Sequence, residues 1–410
     1  MEFEVVQFPN GIRLVHHQIS SPIGHACVLI EAGSRDEQSS QFGLAHFIEH
    51  LLFKRTERRS TTQILNHLEA VGADLNAYTT KEYTCLHASF LKPYLRRSLD
   101  LFEDLLFHSQ FPEGELAKER GIILDEIASY RDSPEDAIMD DFEDLIFKQH
   151  GLGHNILGDE KDLNNIYRND MLAFIQQHYV GANIVIGVSG PYTLNEVKKA
   201  VEKFFGQLPA STKSQKRLQT TPPTATPSAQ LVKLPINQVH HVLGSRTYSI
   251  HENKKIDLLL LNNILGGMGM SSRLNLVVRE QYGIAYTIES NYHAYADTGL
   301  FSVYFGTDED KYEKANKLIQ REFKKLREQK ISDHLLNQAK RKYKGQIALG
   351  EENRLSLIIA QAKSLLDHDR IQTLDEIFTK IDAVTPASMQ AVANEVVDPN
   401  GFFSLTFLPE

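Results

Sequence analysis

Apolar residues recur along the chain with two periods, and each change of period marks an element. Residues 3–16 read as a strand, a turn at Pro9-Asn10-Gly11 and a second strand through Ile12, Leu14 and Val15. Residues 25–31 form another strand, closed by Gly33. From Leu44 to Phe53 the chain is apolar on nearly every side of a helix, the pattern of a helix with no wet face. Residues 61–71 carry helical spacing in Ile64, Leu65, Leu68 and Val71, and Gly72 stops them. Residues 74–90 read as extended and 95–108 as helical. Pro112 opens a helix over about 115–130, with Leu116, Ile122, Ile123 and Ile127 as its apolar stripe. Two more helical stretches follow Ser133-Pro134. A loop at 154–158, a buried strand at 183–190 and a helix at 195–205 complete the first half.

Past residue 209 the composition turns to Ser, Thr, Pro, Gln and Lys, which marks a linker. The expected domains are therefore 1–210 and 231–410, joined by 211–230. The second half repeats the plan of the first. Residues 239–246 resemble 28–35, both ending in Gly-Ser-Arg, and residues 335–347 resemble 115–127. A duplicated fold of two homologous domains follows from this reading.

At 410 residues the chain exceeds one ordinary core, and two domains of about 200 residues are the natural expectation. Hydrophobic content of 41% and charged content of 24% are those of a globular protein. The net charge of −9 argues against nucleic acid, and the Lys/Arg groups near 324–327 and 340–344 lie beside acidic residues, as on a solvated face. No stretch has the apolar length to span a bilayer. The run Met1-Glu2-Phe3-Glu4-Val5-Val6 lacks a secretory or Arg-rich leader pattern, so a cytoplasmic location is expected, and Cys27 and Cys85 read as reduced core thiols.

Polar residues inside the apolar helix are where chemistry enters. His46 and His50 are four apart and share a helix face, and Glu49 leans toward the same space. Two imidazoles and a carboxylate in a dry place need compensation, and a divalent cation supplies it. Catalytic zinc takes three protein ligands and leaves a fourth position open, and Glu49 is better placed as a base toward water than as a ligand. The pattern H-x-x-E-H reverses H-E-x-x-H. Glu126, at the edge of the stripe of the 115–130 helix, is the candidate third ligand, with Asp125 and Glu115 as competitors. Glu119, two turns earlier on that edge, would stand behind as a supporting group. In the second half His46, Glu49 and His50 fall on Asp257, Leu260 and Leu261, and Glu119 and Glu126 fall on Ala339 and Gln346. That copy has lost every such residue, so one catalytic and one supporting half are expected.

These residues resemble the M16 (pitrilysin-type) zinc metallopeptidases, in particular the short branch that includes mitochondrial processing peptidase and its bacterial relatives. His46-Phe47-Ile48-Glu49-His50 is similar to the family's zinc helix, and Glu126 lies 76 residues after His50, where the family places its third ligand. Glu119 matches a further glutamate seven residues earlier. Asn76-Ala77-Tyr78-Thr79 resembles the substrate-strand motif, and residues 151–158 resemble the family's usual loop. Residues 266–274 and 279–286 resemble its glycine loop and Arg/Tyr motif, in which Arg279 and Tyr286 would bind the scissile peptide and stabilise the oxyanion. Arg55 stands where a glycine is common, and the glycine loop has one extra residue. The resemblance implies an α+β fold of two homologous domains, each an antiparallel sheet covered by helices, one Zn2+ per chain, and a dimeric clamshell in which peptides are cut. Because this chain carries both residue sets, a homodimer is expected, with a heterodimer with a related subunit as the alternative. The rival from another class is a non-catalytic scaffold subunit of the same fold.

Overall fold

The computed structural model describes residues 3–209, 222 and 226–410. The expected linker 211–230 falls mostly outside the described residues, and its last two residues, Ala229 and Gln230, already belong to a strand. The chain forms two compact units that are not two consecutive halves. The first comprises Met1–Ile127, His154–Leu218 and Gly350–Gln372; the second comprises Ala128–Gly153, Gln219–Leu349 and Thr373–Glu410.

The first unit holds a six-stranded sheet built from β1 (Glu4–Gln7), β2 (Arg13–Gln18), β3 (Ile23–Ile30), β4 (Asp74–Thr79), β5 (Thr84–Leu91) and β6 (Ile184–Gly190). Their order is β1-β2-β6-β3-β5-β4. All neighbours run antiparallel except β2 and β6, which are parallel. Strand alternation sends Val15, Cys27, Leu29, Cys85 and Val185 to one face, where they pack on Ile358, Ala362 and Leu365 of the helix Arg354–His368. The intervening Leu14, Ala26, Val28, Leu86 and Ile186 are buried on the other face, which the helix Leu95–His108 covers along β3 and β5. The helix Leu44–Leu52 lies against β4 at the sheet's edge.

The second unit has five strands, β7 (Ala229–Leu234), β8 (Val239–Thr247), β9 (Ala285–Ala294), β10 (Gly299–Thr307) and β11 (Phe403–Pro409). Their order is β7-β11-β8-β10-β9, with β7 and β11 parallel and the rest antiparallel. This is the arrangement β2-β6-β3-β5-β4 again, parallel pair included, so the repeat read from two short segments extends to the whole sheet. The expected antiparallel sheets are thus mixed at one pair each, because both long crossovers return in the same direction.

The departure from consecutive boundaries at 1–210 and 231–410 has a packing cause. Ile138, Phe142 and Ile146 of the helix Pro134–Ile146 bury against Val242, Leu405 and Phe407 of the second sheet. Its counterpart Arg354–His368 buries on the first sheet. Each sheet therefore has one face covered by a helix from the other half of the chain, which no local pattern encodes. Among the described residues no helix is long and apolar enough to cross a membrane.

Candidate metal centre

Gly43 starts the helix Leu44–Leu52 in a left-handed conformation, φ 95°, that only glycine adopts freely. Seven of the nine helix residues are buried, but Glu49 and His50 are half-buried, so the helix has one moist corner rather than none. The long helix Glu113–Arg131 supplies the remaining acids. Ile122, expected in its stripe, is 49% exposed, so the buried face centres on Leu116, Ile123 and Ile127, with Glu119 and Glu126 along its border on the side of Ile122.

His46, His50 and Glu126 converge, with one ligand atom from each lying within 4.8 Å of the others. Glu126 Oε2 is 3.9 Å from His46 Nε2 and 3.5 Å from His50 Nε2. Of the competitors, Asp125 is exposed and Glu115 pairs with Lys118 at 2.9 Å; neither enters the cluster. His46 is 8% exposed and its Nδ1 has no hydrogen-bond partner. Burial, reinforced by the neighbouring His50 imidazole, pushes its pKa down to about 3, so the ring stays neutral and one of its nitrogens keeps a lone pair to offer. A nitrogen, nitrogen and oxygen donor set, from two imidazoles and one half-exposed acid, fits the preferences of catalytic zinc.

Behind the ligands, Glu119 is 4% exposed and accepts from His50 Nδ1 at 3.2 Å. A carboxylate only accepts, so the proton sits on Nδ1 and Nε2 is left for the metal. Lys54, one turn beyond His50, balances Glu119 at 2.7 Å. Arg120 lies over the Phe47 ring, 5.8 Å from its centre, which links the helices Glu113–Arg131 and Leu44–Leu52, and it donates to the Leu163 and Ile166 carbonyls. Burial raises the pKa of Glu49, while the Thr79 hydroxyl, donating to its Oε2 at 2.7 Å, pulls the other way. The Glu49 carboxyl also feels both His50 and Glu126, which places it beside the ligand set.

Strand β4 pairs with β5 through Asn76↔His87, Ala77↔Leu86 and Tyr78↔Cys85 and ends the sheet, so no described strand takes its outer edge. Asn76 is exposed, Tyr78 half-buried, and Ala77 buried. In the second unit Arg279 and Tyr286 both line one cavity of about 490 Å3, with Asn262, Asn263 and the glycine loop. Tyr286 is 67% exposed. Arg279 sits in the segment Asn275–Gln281, wound with wide i to i+5 turns, a rare form that sequence reading did not anticipate. The counterparts of the candidate metal residues are structural. Leu260 and Leu261 are buried, and Gln346 accepts from Asn263 at 2.8 Å and donates to the Met268 carbonyl at 3.1 Å.

Thr79, Lys54, Glu37 and His154 escaped assignment in the sequence. Thr79 and His154 lay inside the two motifs quoted at 76–79 and 151–158 without a role of their own, and Lys54 stands four residues after His50 on the same face.

The fold and the donor set define a two-unit α+β protein carrying an inverted zinc-helix motif in one unit only. Residues 14–160 match the model of the insulinase family (peptidase family M16), and residues 165–343 match that of the peptidase M16 inactive domain. An uncharacterized zinc protease of Bacillus subtilis is 32% identical over 388 residues, 94% of each chain. Another, from Streptomyces coelicolor, is 32% identical over 395 residues, covering 95% of this chain and 86% of its own. A solved protease from Helicobacter pylori superposes with a TM-score of 0.92 at 22% identity, covering 100% of this chain and 99% of that one. A solved peptidase M16 inactive domain from Pseudomonas fluorescens gives 0.91 at 19%, covering 100% and 98%. The chain belongs to the M16 peptidase family.

Proposed function

We propose that this chain is a zinc-dependent endopeptidase that hydrolyses peptides or unfolded segments inside a dimeric clamshell chamber. The observation that carries the reading is the convergence of His46, His50 and Glu126 beside Glu49. His46, His50 and Glu126 would hold one Zn2+, and Glu119 would keep His50 in the tautomer that offers Nε2. When bound, zinc would polarise the scissile carbonyl and acidify water. Glu49 takes the proton from the attacking water and returns it to the leaving amine, the task for which a carboxylate of raised pKa is suited. Thr79 holds one Glu49 oxygen and so aims the other at the reacting atoms.

The substrate would add as a strand to the outer edge of β4, along Asn76, Ala77 and Tyr78, a mode that reads main chain more than side chains. Arg279 is suited to a peptide carbonyl and the exposed Tyr286 hydroxyl to the oxyanion, as the family resemblance implies. Both residue sets in one chain support a homodimer, and a related partner subunit is the alternative that mass measurement of the native complex separates. Buried free Cys27 and Cys85 fit a cytosolic setting. A scaffold role of the same fold is disfavoured by the complete donor set, because idle sites have no need of it.

The test is a mixed peptide library incubated with zinc-loaded protein, with and without chelator, and read by mass spectrometry. Chelator-sensitive cleavage is expected, and Glu49→Gln should keep zinc while losing at least about 100-fold in kcat, the usual scale for a general base. Cleavage at the wild-type rate by that variant would refute the assignment.

A further inference from the structure

The helix that carries the two histidines is poorly equipped to begin itself. It is nine residues long, and its N-cap is Gly43, which has no side chain to take the first free N–H groups. Those groups are taken instead by Glu37. Its Oε2 accepts from Gly43 N at 2.9 Å and its Oε1 from Ala45 N, the residue before His46, at 2.7 Å. A third donor, His154 Nε2, reaches Oε2 at 3.0 Å from the distant loop 151–158. The Glu37 side chain is completely buried.

Contacts around this carboxylate clamp the same point from several directions. The His154 ring stacks on Phe42, with centres 3.9 Å apart and planes 12° off parallel. Phe42 N donates to Asp162 at 3.3 Å. Lys81, from the turn that follows Thr79, donates to the His154 carbonyl. The backbones meet directly at two glycines: a Cβ on Gly43 would stand 2.6 Å from the Leu157 carbonyl oxygen, and one on Gly158 would stand 2.1 Å from that of Phe42.

We propose that Glu37 and His154 form a buried anchor that fixes the start of the metal helix and are positioning residues for the metal centre. The proposal rests on the reading of that helix as the zinc helix. The first N–H groups of a helix lack partners within it, and here the two oxygens of one buried side chain take them and so set where the axis begins. His46 follows the anchored Ala45 directly, so slack at Glu37 becomes misplacement of the first ligand. The loop 151–158 thereby acquires a role as the second jaw of the clamp.

The two oxygens of Glu37 meet three nitrogens, whereas the amide of Glu37→Gln offers one oxygen and turns its NH2 against another donor. His154→Phe keeps the ring on Phe42 and removes the donor; His154→Gln restores a donor at similar reach. Ser60→Ala removes the cap of the next helix, Thr61–Glu69, and serves as a control for plain loss of stability. Zinc affinity of metal-free protein is measured by chelator competition, and amide hydrogen exchange of residues 44–50 by mass spectrometry in the absence of metal. Glu37→Gln and His154→Phe should weaken zinc about tenfold or more, as outer partners of metal ligands do, and speed exchange in that helix. His154→Gln should stay within about threefold of the parent, and Ser60→Ala should speed exchange only in Thr61–Glu69. Unchanged exchange in residues 44–50 for Glu37→Gln and His154→Phe overturns the anchor. Equal zinc loss in Ser60→Ala overturns it as well. Should the parent chain take up no zinc, the metal reading falls while the exchange measurement still decides the anchor.

Discussion

Replacing Glu119 by Gln tests whether the group behind His50 governs the metal. Glu119 is 4% exposed and takes hydrogen bonds from His50 Nδ1 at 3.2 Å and Lys54 Nζ at 2.7 Å. The substitution keeps the shape but removes the charge. A hydrogen bond to a charged group contributes about 1.5–3 kcal/mol, and the amide can also turn its NH2 toward Nδ1, moving the ring proton onto the nitrogen the metal needs. Lys54, with a quarter of its side chain exposed, can turn to water and so offsets little of this. At 1.4 kcal/mol per tenfold the variant should bind zinc about 10- to 100-fold more weakly, the range known for partners of ligating histidines. The assay is titration of metal-free protein against a fluorescent zinc chelator, followed by kcat/KM on a quenched peptide at limiting and saturating zinc. Affinity within about twofold of the parent would show that Glu119 does not orient His50, and the reasoning would fail.

Other expectations are as direct. Because burial raises the Glu49 pKa and the Thr79 hydroxyl lowers it, Thr79→Val should raise it further. The base works deprotonated, so activity is lost as pH falls through that pKa, and a pH–kcat profile of Thr79→Val should show its acid limb moved toward neutral. Gly158→Ala places a side chain at φ 76° and against the Phe42 carbonyl, so it should cost about 2 kcal/mol or more and lower the melting temperature by about 4–8 °C in a scanning calorimeter. In the metal-free protein His46 has a folded pKa of about 3 against 6.5 free, so it favours folding above pH 6.5 and that contribution is lost as pH falls toward 3. Urea midpoints of apo protein across that window should drop more steeply than those of His46→Gln, which cannot titrate.

Legibility followed the range of each interaction. The i, i+4 spacing of His46 and His50 is a property of one helix, so it could be read without a fold. The third ligand could not be separated from Asp125 and Glu115 on spacing alone. The choice depends on how the helix Glu113–Arg131 is rotated, and the exposure of Ile122 records that rotation. Thr79 and Lys54 were hidden for a similar reason. Thr79 meets Glu49 only after β4 has come to lie beside the helix Leu44–Leu52, and Lys54 gains meaning only from Glu119.

Local periodicity by itself determined that strands precede a buried helix with two imidazoles and an acid on one side, that the plan occurs twice, and that the second copy had lost its chemistry. Tertiary structure alone decided that Glu126 comes within reach of both imidazoles, that Glu37 and His154 meet at the helix start, and that each sheet is roofed by a helix from the other half of the chain. The division is physical. Neighbours along one element are set by the backbone's own repeat, whereas partners 69 or 117 residues apart meet only because burial of apolar faces closes the intervening loops.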